Sequence, residues 1–141
     1  MSIDHESTLL GVRVGERCYM VAQSQVNHIG LLDPYELPTD SGGRQLICRE
    51  LGPLLHEAGD DGRPGRRHAM LISLRRRSVA LLVDRIDSLV GYEQPAIQTL
   101  SPLLTKRLVR PWFLGVVVYH DEPILLLDLR RIATDVAIGA V

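Results

Sequence analysis

Period-two alternation of apolar residues, met three times along the chain, predicts an all-β protein, a barrel or a sandwich, built as two copies of one plan. Two further observations support that reading. The alternating stretches superpose on one another under constant shifts, and the two segments with three- and four-residue apolar spacing are short. Composition agrees: 141 residues, 45% hydrophobic and 23% charged, suffice for one compact domain or two very small barrels sharing an interface. No run of 18 apolar residues occurs, which argues against a membrane span. The opening MSIDHEST is polar and acidic, unlike a signal peptide, so a cytoplasmic protein is expected.

The elements follow in order. LLGVRVGERCYMVA (9–22) reads as strand, turn, strand around Gly15-Glu16, with Leu10, Val12 and Val14 on one face and Tyr19 and Val21 continuing it. AMLISLRRRSVALLVDRIDSLV (69–90) repeats the plan with its turn at Arg75-Arg76-Arg77. FLGVVVYHDEPILLLDL (113–129) does so again, with turn signals at Asp121, Glu122 and Pro123. Leu51, Leu54, Leu55 and Ala58 have helical spacing within 49–57 and its end, with Gly59 as a stop. Leu129, Ile132, Ala133 and Val136 do the same within 128–137, where Asp128 can cap the first turn. GDDGRPGRR (59–67) has the Gly, Pro and Asp density of an exposed loop.

A shift of 60 residues brings Leu10 onto Met70, Val12 onto Ile72, Tyr19 onto Val79 and Val21 onto Leu81. A shift of 78 brings LICREL (46–51) onto ILLLDL (124–129). The plan of each copy is hairpin, strand, connection, strand, short helix. The change of shift means that the first copy lacks 18 residues which the second fills with segments such as EQPAIQTLSPLL and TKRLVRPWFLG. The expected organisation is a shortened first unit over 8–58, a loop over 59–67 and a complete second unit over 68–137.

Charge and chemistry exclude several function classes. Sixteen basic residues against 17 acidic give a formal charge of −1, so there is no domain-wide basic field. The five histidines lack ligand spacing, Cys18 and Cys48 form no CxxC, and neither Asp60-Asp61 nor GDDGRPG supplies a calcium or phosphate loop. Asp84 and Asp87 lie on opposite faces of an alternating segment, which suits Asp84 to accepting backbone or arginine hydrogen bonds. No catalytic residue, metal or cofactor is expected. The local basic concentration is Arg75, Arg76 and Arg77 with Arg63, Arg66 and Arg67: either a solvated turn or a docking patch for an acidic protein. A nucleic-acid-binding barrel is the reading from a different class, but three arginines without interleaved aromatics or a recognition helix make a weak footprint. Trp112 and Phe113 open a strand and suit either the core or an interface anchor. Val26, Ile29, Leu31 and Leu32, with Tyr35, run toward the 18-residue deficit and are candidate contacts that the shortened unit leaves uncovered.

HAMLISLRRRSVALLVDRIDSLVG (68–91) and WFLGVVVYHDEPILLLDLRRIA (112–133), with LLGVRVGERCYMVAQSQVNHIG (9–30) as opening strands, resemble the CheW-like family, the coupling proteins of bacterial chemosensory arrays. The resemblance is a pattern over residues 9–133 rather than one sharp motif. It implies two five-stranded, SH3-like barrels side by side, the first truncated, and no catalysis. It also implies binding to the cytoplasmic tip of a methyl-accepting chemoreceptor in the groove between the units, and to a histidine kinase regulatory domain mainly through the first unit. Here LPTDSGGRQLICREL (37–51) stands where the family carries an Asn-Leu-Arg-Gly segment, with Gly42-Gly43 at the Arg-Gly pair. Kinase binding is therefore expected to be weakened or lost, with a conventional receptor–kinase coupler as the alternative. A clipped barrel with open strand edges also suggests self-association or pairing with another such domain.

Overall fold

The structure is a computed structural model, and it describes residues 9–33, 46–55, 67–88, 97–99 and 111–141. The strands are β1 (Leu9–Val14), β2 (Arg17–Ala22), β3 (His28–Leu32), β4 (Leu46–Glu50), β5 (Arg67–Ser73), β6 (Ser78–Val83), β7 (Arg85–Ser88), β8 (Ile97–Thr99), β9 (Phe113–Tyr119) and β10 (Glu122–Leu127). Two helices accompany them among the described residues, α1 (Leu51–Leu54) and α2 (Leu129–Ala137). Gly15 turns the first hairpin at φ 61°, a left-handed conformation that costs glycine little. In the third hairpin the turn falls on His120 and Asp121, both at positive φ, one residue earlier than its turn signals suggest. Glu122 and Pro123 already belong to β10.

The strands form two open mixed sheets, one of six strands in the order β7-β1-β2-β10-β9-β8 and one of four in the order β3-β5-β6-β4. This corrects the expectation of two five-stranded SH3-like barrels. A barrel closes when its outermost strands pair, and among the described residues β7 and β8 do not pair with each other, nor do β3 and β4. The physical reason lies in the pairing partners. β10 joins β2 in parallel, and β4 joins β6 in parallel, so each closing strand is spent on the hairpin of the other repeat.

The registers reproduce both sequence shifts. Leu126 pairs with Met20 and Leu127 with Val21, while Cys48 pairs with Ala80 and Arg49 with Leu81. Met20 to Ala80 is the shift of 60, and Cys48 to Leu126 the shift of 78. β7 lies antiparallel beside β1 as β3 does beside β5. The two sheets therefore share one four-strand order, and the six-stranded sheet adds β9 and β8 beyond β10. Those two strands come from the stretch of the second repeat that the first lacks.

The core follows from the alternation. Leu10, Val12, Val14, Tyr19 and Val21 of the six-stranded sheet cluster with Met70, Ile72, Val79, Leu81 and Val83 of the four-stranded sheet. Leu129, Ile132, Ala133 and Val136 of α2 join that cluster. Each such buried aliphatic side chain contributes about 1.5–3 kcal/mol. On their other faces the sheets carry smaller clusters, Leu9, Met20, Val117 and Leu126 on one and Leu46, Ala69, Ala80 and Leu82 on the other. β6 is buried along its whole length, which is why its sequence is a continuous apolar run rather than an alternating one.

Only the first helix expectation needs trimming. Arg49 and Glu50 are in β4, held by the parallel ladder to β6, so α1 starts only at Leu51. α2 begins where expected, with the Asp128 carboxylate accepting from Arg131 N at 3.3 Å. Gln25, in a short 3-10 turn after β2, reinforces this start. Its Oε1 accepts from Leu129 N at 2.9 Å and its Nε2 donates to Asp128 Oδ1 at 3.1 Å.

Candidate functional site

The sequence candidates separate into three environments. Ile29 and Leu31 on β3 are exposed, 37% and 57%. Ile29 lies opposite Met70 and Leu31 opposite His68 in the β3–β5 ladder. Directly opposed residues share a face of a sheet, and Met70 belongs to the cluster between the sheets. Ile29 and Leu31 therefore lie on the face turned toward the six-stranded sheet, at an edge strand that the opposing sheet leaves uncovered. Leu32 faces the other way and packs on the Leu46, Ala69, Ala80 and Leu82 cluster. Val26 is half-buried against the central core. Tyr35 lies outside the described residues.

Trp112 is buried in the central cluster, with Nε1 donating to Asp135 Oδ2 at 2.7 Å, and Phe113 is half-buried against the same cluster. The structure thus places this pair with the core. Arg75, Arg76 and Arg77 are exposed in the turn between β5 and β6. Arg77 donates to the carbonyl of Ala137 at 3.2 Å, where a cation complements the negative end of α2. Arg75 and Arg76 make no ion pair with a described residue. Sequence reasoning passed over three exposed apolar side chains: Leu114 at 37%, Val118 at 47% and Ile138 at 71%. The signal for Val118 was present, because β9 is apolar on both faces although it pairs at a sheet margin.

Asp84 joins the two sheets rather than serving a reaction. It stands between β6 and β7, where the chain crosses from one sheet to the other. Its Oδ2 accepts from Gly15 N at 2.8 Å and its Oδ1 accepts from Arg67 Nη2 at 2.9 Å. Arg67 also grips Glu50 through Nε at 3.2 Å and Nη2 at 2.9 Å. Burial alone would lower the Arg67 pKa, but hydrogen bonds to Glu50 and Asp84 and their charges outweigh it and hold the guanidinium above its ordinary value. Asp87 is occupied on the surface by Arg85 at 2.9 Å. Among the described residues no three His, Cys, Asp or Glu side chains gather as a metal site. No described helix is long and apolar enough to cross a membrane.

Two facing sheets tied by a polar clamp, with an apolar edge strip beside the junction, define a β scaffold that works by contact. Comparison with known proteins makes this specific. The family model described as the CheW-like domain matches residues 8–137, and the chain belongs to that family. Its members are non-enzymatic chemotaxis scaffolds that interact in general with chemoreceptors and with other CheW domains, and this chain is a scaffold of that kind. Among solved structures it is similar to the scaffolding protein TtCheW from Thermoanaerobacter tengcongensis, with a TM-score of 0.60 and 13% identity, over 86% of this chain and 88% of that one. At that identity the likeness concerns the fold. A search of the curated proteins returns no match.

Proposed function

We propose that this chain is an adaptor recruited to a cytoplasmic chemosensory array, where it binds the signalling tip of a chemoreceptor and engages the histidine kinase weakly or not at all. The observation that carries the receptor half is the Ile29–Leu31 strip. Exposed aliphatic side chains on an edge strand beside a junction between sheets are suited to an amphipathic helix laid along them. Burying both removes enough apolar surface to supply several kcal/mol, at about 25 cal/mol per Å². The kinase half is supported by the 18-residue deficit: β9 and β8 of the six-stranded sheet have no described counterpart beside β4. A protein of this kind would alter receptor clustering or compete with a full-length coupling protein.

Replacing Ile29 and Leu31 together with serine tests the receptor half. Both side chains are exposed, so folding is expected to persist while affinity for a soluble receptor signalling fragment falls at least tenfold. Unchanged affinity with intact folding contradicts the assignment.

A further inference from the structure

The six-stranded sheet carries a cavity of about 430 Å³ on the face opposite the central core, walled by β1, β2, β7 and the β9–β10 hairpin. Its floor follows from register. Gly11 stands opposite Met20 in the β1–β2 ladder, and Met20 belongs to the apolar cluster of that face, on which Tyr119 and Ile124 pack half-buried. Two residues further along β1, Arg13 stands opposite Cys18 on one side and Arg85 on the other, so these three project from the same face. Gly11 leaves the floor open. A β-carbon there would meet only the backbone oxygen and Cβ of Asp87, at 3.8 and 4.0 Å, which is ordinary contact. The Tyr119 ring, edge-on to His120 with centroids 4.1 Å apart, forms the far wall.

Charge around the cavity is uneven. Arg85 is held by Asp87 at 2.9 Å, whereas the exposed Arg13 side chain makes no ion pair or hydrogen bond with a described residue. Glu122 stands on the rim. We propose that this cavity binds a small aromatic monocarboxylate, its ring on Gly11, Met20 and Ile124 and its carboxylate on Arg13. The volume and the apolar floor with few polar groups are those of sites for drug-sized ligands. Guanidinium and carboxylate groups pair in planar, bidentate geometry. The Tyr119 ring and the Met20 sulfur favour an aromatic body over an aliphatic one. A nucleotide or an acidic peptide fits less well, because Asp87 and Glu122 repel any further negative charge. The inference uses no residue of the β3 strip, so it stands or falls independently of receptor binding.

The test titrates naphthylacetate into the full chain and follows amide NMR shifts, with naphthylacetamide as the neutral counterpart and naphthylmalonate as the dianion. The expected result is a dissociation constant below about 1 mM for naphthylacetate, with shifts concentrated in β1, β2 and the β9–β10 hairpin. The amide and the dianion should bind at least about fivefold more weakly. Arg13→Gln, a change at an exposed side chain that leaves the core intact, should bring affinity for naphthylacetate down to that of the amide. Gly11→Val fills the floor and should weaken naphthylacetate and the amide alike, by about tenfold or more. Occupancy should also slow alkylation of Cys18 several-fold while leaving Cys48, on the four-stranded sheet, unchanged. No binding of naphthylacetate up to about 5 mM overturns the proposal. So does equal or tighter binding of the amide or the dianion, or wild-type affinity in a folded Arg13→Gln chain. Binding that leaves Cys18 as reactive as in the free chain overturns it too.

Discussion

Replacing Asp84 with alanine is expected to cost about 2–3 kcal/mol, because this one carboxylate ties both sheets together. The sum has two parts. Gly15 N loses its acceptor at 2.8 Å, and a half-buried donor left unpaired costs about 1–2 kcal/mol. Arg67 loses one of its two carboxylates but keeps Glu50. The Arg67 and Asp84 side chains are 11% and 25% exposed, so solvent screens the pair and its loss is set at about 1 kcal/mol. Asparagine at this position can still accept from Gly15 N and should cost about 1 kcal/mol. Urea unfolding reads both variants. With m near 2 kcal/mol per M, alanine should lower the midpoint by about 1 M without changing the slope. A shift below about 0.25 M for Asp84→Ala, at unchanged m, would refute the argument that this residue clamps the sheets.

Three further outcomes follow from the same geometry. Trp112→Phe should cost about 1–2 kcal/mol, since Asp135, only 13% exposed on its side chain, loses its 2.7 Å donor; thermal melts followed by circular dichroism measure it. Gln25→Ala should cost about 1–2 kcal/mol and expose the first turn of α2 to hydrogen exchange, because two bonds at the start of that helix disappear. In alkylation kinetics Cys18, which is exposed, should react first. Burial pushes the Cys48 thiol above its ordinary value, so its labelling should lag and accelerate only at higher pH. The unfolded chain releases that proton at lower pH than the folded one, so this group's contribution to stability is complete below the ordinary thiol range and declines as pH rises through it.

Much of the fold was legible because alternation is a local property. The strands of all three hairpins and the two repeat shifts could be read from the order of apolar residues, and the turns and the Asp128 cap from the polar residues between them. Closure was not legible. Whether LICRE pairs with the hairpin of its own repeat or of the other depends on contacts far apart in the chain, and the same apolar face suits either choice. That degeneracy turned an expected pair of barrels into two open sheets with exchanged strands. Among the site candidates, the exposure of Ile29 and Leu31 followed from their place at a strand edge. Val26 and Leu32 look alike in sequence, yet register turns Leu32 to the outer face, while Val26, at the end of the 3-10 turn, packs half-buried against the core. Trp112 was ambiguous because its Asp135 partner lies 23 residues away, on a helix whose packing no local pattern specifies.

The most direct test of the account is a paired titration by calorimetry. The purified chain is offered a soluble receptor signalling fragment and, separately, a kinase regulatory domain, each beside a full-length coupling protein as control. The account predicts binding to the receptor fragment within about tenfold of the control and little or no binding to the kinase domain. Kinase binding at micromolar affinity or tighter, or failure to bind the receptor fragment, would contradict it.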